Sequence, residues 1–405
     1  MPLRLVNNVV WGIFSQVGGL LIPLIELPIL ARALGQQMYG QVLYVLSIAL
    51  TASVFVEFGF SFSASRQVIK VKDDRQALAQ LITDVFLAKL LLSMLVGVVL
   101  SVWLWGSSSA SIITDRWLLW IAAFTVSFGF SPIWYYIGIG NLKLPALFDL
   151  GIRSIGLGAI VLSVSAPQHA ERVLAIQAVV GMVNTLVPSL LMIRSTGLGR
   201  LSFQGAKDVL QESWTLFLYK GAQNIIGSMA STLLGSLSTP QAVGAFAPAE
   251  KLVRAASSLV MPVLNAVFPK AVELQIAKKV VKKKLLVGIL VLLLIGILLF
   301  SGLIVWMAPL IIQKIFGLEF QAAIPVLRGL VWIIPLRAFN LILTMLWLIP
   351  RGAERIAAQA LLMNFVVICV FAVVLVPRLG SLGMAIALLV AEAMLCIILF
   401  WRKLN

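Results

Sequence analysis

The sequence predicts an all-α integral membrane protein of twelve transmembrane helices, arranged as two six-helix halves related by pseudo-two-fold symmetry, with both termini in the cytoplasm. Three observations carry this expectation: an apolar excess too large for water, apolar runs of bilayer-crossing length, and basic residues gathered in alternate loops. Of 405 residues, 61% are hydrophobic and 11% charged, where a soluble globular domain carries roughly 25% charged residues. The mean hydropathy is +1.06. A water-soluble fold of this composition would leave much apolar area exposed, and lipid removes that difficulty.

Crossing about 30 Å of hydrocarbon takes about 20 apolar residues. Runs of that order fall in succession at 8–31, 40–63, 80–105, 117–140, 147–165 and 171–193. After the longest polar stretch, Ser195 to Glu212, they resume at 213–236, 241–268, 285–308, 322–349, 355–376 and 381–401. The polar stretch separates two six-helix halves, 1–200 and 201–405. Six is even, so both halves enter the membrane in the same orientation, as parallel repeats do. Weak internal similarity points the same way: Leu34-Gly35 and Tyr39-Gly40 follow the first run, and Leu237 and Val243-Gly244 follow the seventh. The fourth run ends at Gly140-Asn141-Leu142-Lys143 and the tenth at Arg351-Gly352-Ala353-Glu354-Arg355. Glycine-rich turns common to all helical membrane proteins would give the same pattern, and both explanations stay open here. Prolines interrupt several runs (Pro23, Pro28, Pro132, Pro188, Pro248, Pro262, Pro325, Pro335), each removing a backbone hydrogen bond and permitting a bend.

The loops test the count independently. With the N-terminus inside, 20 of the 31 Lys and Arg lie in cytoplasmic segments, including the run from Lys270 to Lys284, and 5 lie outside: Arg32, Arg116, Arg172, Lys314 and Arg378. Such a bias in one alternating phase is the positive-inside signal. It also accounts for the net charge of +16 without nucleic acid as a partner. Residues Met1 to Asn8 hold one arginine and no small-residue cleavage site, so the first run reads as a membrane helix and not a removed signal peptide.

Most chemistry is excluded by inventory. Cys369 and Cys396 lie inside apolar runs and His169 is the only histidine, so neither a disulfide framework nor a metal site is expected. No phosphate loop of the GxxxxGK[ST] type occurs, and no cofactor is expected. No outer loop exceeds about a dozen residues, too little for an external catalytic site. The cluster Ser131-Pro132-Ile133-Trp134-Tyr135-Tyr136 reads either as a contact for a sugar or amphiphile or as part of an interfacial aromatic belt. Asp149 and Arg153, four apart at a helix start, read as a surface pair.

Six cations remain inside the runs: Lys89, Lys220, Lys251, Arg254, Arg328 and Arg337. At roughly 2.5–3.5 kcal/mol each near a helix centre, six facing lipid would cost on the order of 15–20 kcal/mol, more than a typical total stability. They must face protein or water, which makes a cationic central cavity the leading expectation. Lys220, Lys251, Arg254 and Arg337 are its foremost candidates. Lys89 is balanced between that role, pairing with Asp84 and snorkelling, and Arg328 reads as an interfacial anchor. The embedded acids Glu26, Glu57, Glu250 and Glu392 either neutralise these cations or handle a coupling ion by changing protonation.

Asn8, Trp11, Gln16, the segment Pro23 to Pro28, Ala31-Arg32, Leu34-Gly35 and Tyr39-Gly40 resemble the opening of Wzx-type polysaccharide flippases. Glu57-Phe58-Gly59-Phe60, Ser63-Ala64 and Arg66 continue the pattern, followed by Pro132, Trp134 and Gly140 and by Arg351-Gly352. The resemblance implies the multidrug/oligosaccharidyl-lipid/polysaccharide exporter superfamily. It further implies transport, without enzymatic activity, of an undecaprenyl-diphosphate-linked oligosaccharide such as an O-antigen repeat unit. The glycan would pass from the inner to the outer leaflet of the bacterial inner membrane by alternating access, with or without coupling to an ion gradient. Membrane lipid, a polysaccharide polymerase and chain-length proteins are the partners it implies. Two other classes are kept in view: a multidrug or other small-molecule exporter, which would want an acidic lumen, and a membrane glycosyltransferase or polymerase, which would want a sizeable outer loop.

Overall fold

A computed structural model of the chain describes residues 2–106, 115–217, 222–261, 264, 280–348 and 354–404. Of the features expected from the sequence, Lys220, Pro262, Lys270, Lys278, Lys279 and the turn Arg351-Gly352-Ala353 lie outside these residues. Among the described residues every regular element is helical, as a chain in hydrocarbon requires, because only a helix satisfies its backbone within one segment. Eight helical segments among them are long and apolar enough to cross a membrane.

Two helices are too long to be single spans. Helix α1, Pro2–Glu57, has 56 residues and would run about 84 Å if straight. It breaks at Gly35, where φ is 69°. The last helix, α14 (Glu354–Leu404), breaks at Gly380 with φ 54°. Left-handed backbone of this kind favours glycine. At Gly380 the chain doubles back: a Cβ on Gly383 would lie 2.4 Å from the Leu375 carbonyl, whereas eight residues of straight helix span about 12 Å.

The chain divides into two compact units, Met1–Thr232 and Leu233–Asn405. In the first, α1 packs against α4 (Asp115–Gly129), α6 (Lys143–Ser163) and α7 (Ala170–Thr196). Helix α2 (Phe60–Val71) packs on α5 (Ile133–Ile139), and α3 (Arg75–Gly106) on α8 (Phe203–Leu216). The core of this second group holds Phe60, Ile82, Val85, Trp134, Tyr135 and Tyr136. Tyr136 donates from its hydroxyl to the Pro188 carbonyl (2.8 Å), and Tyr135 bonds Ser195 Oγ (3.1 Å). The three adjacent aromatics are therefore buried in the protein core and do not form an exposed interfacial belt.

Helix α9 (Ala222–Leu237) crosses the boundary between the units. In the second unit α10 (Pro240–Ser258) packs on α12 (Ala323–Leu330), and α13 (Ile333–Leu343) on α14. Helix α11 (Val280–Ile315) is different: its apolar segment Leu290–Ile315 is mostly unburied, with Leu298, Leu299 and Trp306 exposed. Leucine and tryptophan side chains turned outward in this way suit lipid and not water.

Close packing of α5 on α2 leaves no room at Gly138, where a Cβ would sit 2.5 Å from Val68 Cβ and 3.0 Å from the Ser65 carbonyl. Gly138→Ala is expected to cost about 1–3 kcal/mol, read as a lowered melting temperature of the detergent-solubilised protein. An unchanged melting temperature would mean that these helices are not in contact.

Candidate functional site

Pro132 organises the polar interior of the first unit. It interrupts the helical ladder between α4 and α5: the Ser131 N–H bonds the Phe128 carbonyl and the Tyr135 N–H the Pro132 carbonyl, leaving the carbonyls of Ser127 and Ser131 to find other donors. Thr185 on α7 donates its hydroxyl to Ser127 O (2.5 Å), and Lys89 on α3 donates from Nζ to Ser131 O (3.1 Å). Lys89 is 1% exposed, with its ammonium 5.7 Å from the Phe60 ring centroid. It caps a helix end, while Asp84 accepts from Gln80 (2.9 Å). A desolvated ammonium between a carbonyl and a ring face has partners enough to tolerate burial.

The same break borders a cavity of about 370 Å³ inside this unit. Its wall includes Trp11 of α1, Phe128 of α4, Ser131, Pro132, and Asp149 and Arg153 of α6, closed by Gly181, Asn184 and Pro188 of α7. Asp149 Oδ1 accepts from Arg153 Nε (2.7 Å) and from Asn184 Nδ2 (2.6 Å). The pair expected at the surface is thus half-buried and forms a cavity wall, because α7 brings an amide against it. Lys143 lies with Nζ 5.7 Å from the Trp11 ring centroid.

The two candidate acids of this unit meet backbone and amide groups. Glu57 ends α1 and starts α2: Oε2 accepts from Gly59 N (3.0 Å) and Oε1 from Ser61 N (2.7 Å), satisfying donors that a helix start leaves open. Glu26 accepts from Gln177 Nε2 of α7 (2.5 Å).

The other candidates belong to the second unit. On α10, Arg254 donates from Nε to Glu250 Oε1 (2.8 Å) and also from Nη2, with its side chain 46% exposed. Lys251, one turn earlier, is half-buried. Arg337 of α13 reaches Glu392 of α14, Nε and Nη2 both lying 2.9 Å from Oε1. Asn340, one turn on from Arg337, donates to Glu392 Oε2 (3.0 Å) and to its backbone carbonyl (3.1 Å). Glu392 is buried and Arg337 remains a third exposed. Arg328 is exposed and donates to Val305 O (3.4 Å).

The structure therefore gathers the predicted residues into separate groups, with Lys89, Glu26 and Glu57 in the first unit and Glu250, Lys251, Arg254, Arg337 and Glu392 in the second. Three amides escape a reading based on formal charge: Gln177, Asn184 and Asn340. The available signal was spacing. Gln177 and Asn184 are seven apart on an apolar helix, hence on one face, and Asn340 is three from Arg337.

The family model described as polysaccharide biosynthesis protein matches residues 5–275. A putative O-antigen transporter of Shigella dysenteriae is 24% identical over 391 residues, covering 95% of both chains. One from Escherichia coli strain K12 is 22% identical over 276 residues, covering 66% of this chain and 65% of that protein. Among solved structures, the lipid II flippase MurJ in an inward closed conformation superposes with a TM-score of 0.73 at 11% identity, covering 99% of this chain and 88% of that one. An inward-facing multidrug resistance MATE transporter gives 0.68 at 14% identity, covering 98% and 97%. At such identities these two likenesses speak for the fold alone.

Removing one partner of a buried pair strands the other. Arg337→Gln is expected to destabilise by about 3–5 kcal/mol and Arg254→Gln, at a more exposed pair, by up to about 1 kcal/mol. The double variant Arg337→Gln/Glu392→Gln should lose clearly less than its single variants summed. Thermal denaturation of the four proteins reads this, and strict additivity would mean that Arg337 and Glu392 do not interact.

Proposed function

We propose, since the chain belongs to the polysaccharide biosynthesis protein family, that it is a flippase carrying a lipid-linked oligosaccharide across the membrane it spans. The observation that carries this reading is alignment over 95% of both chains with a relative itself named a putative O-antigen transporter. The cargo is an undecaprenyl-diphosphate-linked repeat unit, taken from the inner to the outer leaflet of the bacterial inner membrane. Its glycan is then available to a polymerase and chain-length proteins. The chain moves its cargo and makes no covalent change to it.

Twelve crossings with both termini inside fit this role. Breaking α1 at Gly35 and α14 at Gly380 turns two over-long helices into pairs of spans, and the 20-to-5 division of basic residues supports the orientation. The mechanism is alternating access of the two halves. Lys220, Lys251, Arg254 and Arg337 lower the cost of moving a diphosphate through a low dielectric, with Lys89 nearer the core of the first unit. Arg337 spends Nε and Nη2 on Glu392, which leaves Nη1 for an anion. Glu26, Glu57, Glu250 and Glu392 are the carboxylates open to a coupling ion, Glu392 foremost because a change in its protonation would loosen Arg337.

A second reading, export of small organic molecules, draws on the likeness to a multidrug transporter fold. It is weakened by six embedded bases against four acids, since a site for organic cations wants the reverse. Deletion of the gene separates the two. A flippase leaves its lipid-linked oligosaccharide on the cytoplasmic face, whereas an exporter leaves the glycan unchanged and the cell sensitised to drugs.

Complementation of a flippase-null strain tests the cationic site. Lys251→Glu, Arg254→Glu and Arg337→Glu are each expected to lower export at least tenfold at wild-type protein levels, and full export by all three would refute the site. The swap Arg337→Glu/Glu392→Arg should recover melting temperature but not export, since it restores the pair and misplaces the cation. Unchanged export after both proton and sodium gradients are collapsed would rule out antiport.

A further inference from the structure

The cavity of the first unit contains none of the cations proposed above, and its chemistry is of another kind. Asp149 and Arg153 cancel in charge, which leaves Lys143, 5.7 Å from the Trp11 ring centroid, as the charge beside the cavity. Yet the cluster is unsaturated. Both bonds to Asp149 land on Oδ1, so Oδ2, the Arg153 Nη groups and Asn184 Oδ1 keep bonding capacity that no described residue uses. Acceptors and donors thus stand side by side, the arrangement a hydroxyl can satisfy, since it both gives and accepts a hydrogen bond. Two aromatic side chains complete the wall, Trp11 and Phe128, the latter stacked on Phe124 with centroids 4.7 Å apart. Ring faces take the C–H face of a pyranose while polar groups take its hydroxyls. The volume of about 370 Å³ lies at the small end of ligand pockets, about 300–1,000 Å³, and suits one or two sugar rings.

Placement agrees with chemistry. In the orientation proposed above, the lining segments (around Trp11, Ser131, Asp149 and Asn184) all lie toward the cytoplasmic ends of their spans, where a lipid-linked glycan is loaded.

We propose that this cavity is a carbohydrate subsite, binding an uncharged sugar residue of the repeat unit through Asp149, Arg153 and Asn184 against the Trp11 and Phe128 rings. It rests on the flippase reading for the identity of its ligand, but its chemistry is tested separately. The full-length protein in lipid nanodiscs is probed by saturation-transfer NMR with free neutral hexoses, N-acetylhexosamines and their disaccharides, and with inorganic diphosphate as competitor. The expected result is saturation of at least one neutral sugar, undiminished by diphosphate. Asn184→Ala should weaken it at least tenfold, Trp11→Phe at most a few-fold because a ring remains, and Arg328→Gln, at an exposed position of the second unit, not at all. If Asn184→Ala does not fold, Asn184→Leu, which fills the space the sugar would take, is read in its place. No sugar signal, competition by diphosphate, or binding indifferent to Asn184 would overturn the subsite. A wild-type protein that complements the null strain but binds no sugar refutes the subsite and leaves the flippase. One that binds sugar through Asn184 but fails to complement refutes the flippase and leaves the subsite.

Discussion

Hydrocarbon offers no hydrogen bonds, so each polar group carried into it must find its partner in the chain itself. The break at Pro132 shows how far that single requirement reaches. The ladder shifts around the proline and frees the carbonyls of Ser127 and Ser131, and two other helices answer: α7 with the Thr185 hydroxyl, α3 with the Lys89 ammonium. Those bonds hold the helices at fixed registers around the break. The same break places Ser131 and Pro132 on the wall of the cavity. A lysine that by its charge alone looked like a contact for cargo is, in its described geometry, the donor that allows the break to exist in a dry interior.

The second unit meets the requirement with ions. Glu392, buried, is surrounded by the Arg337 guanidinium and the Asn340 amide, three groups whose hydrogen bonds offset much of the cost of removing charge from water. A buried pair of this sort adds little net stability compared with apolar packing, while breaking it is expensive. The pair is therefore weak evidence for stability. Arg254 and Glu250 pair within one helix, where four-residue spacing brings them together at little entropic cost.

That contrast explains what was legible in the sequence. Apolar runs, the basic loops, the turn at Gly35 and the break at Pro132 follow from local rules, and the pairs Glu250–Arg254 and Asp149–Arg153 follow from helical spacing. Arg337 with Glu392, 55 residues away, and Glu26 with Gln177, 151 away, depend on which helices meet, and one sequence holds no such information. Amides compounded the difficulty, because Gln177, Asn184 and Asn340 contribute nothing to a charge count yet each completes a carboxylate. Trp134, Tyr135 and Tyr136 misled for the opposite reason. Their composition fits an interface, and only the packing of α5 on α2 puts them in a core.

Both units pair arginine with carboxylate, Arg153 with Asp149 in the first, Arg254 with Glu250 and Arg337 with Glu392 in the second, and the cargo proposed for this chain asks for more than one kind of contact. A lipid-linked repeat unit joins a dense anion to sugars that carry many hydroxyls and, where neutral, no charge. A uniformly cationic path would hold the diphosphate tightly while offering the sugars too few acceptors, and a uniformly neutral path would leave the diphosphate without compensation in a low dielectric. In the function proposed here, Arg337 Nη1 and the mixed donors and acceptors around Asp149 answer each part by its own chemistry. Neither group has to bind strongly, and for a transporter that is an advantage, because cargo held too well is not released.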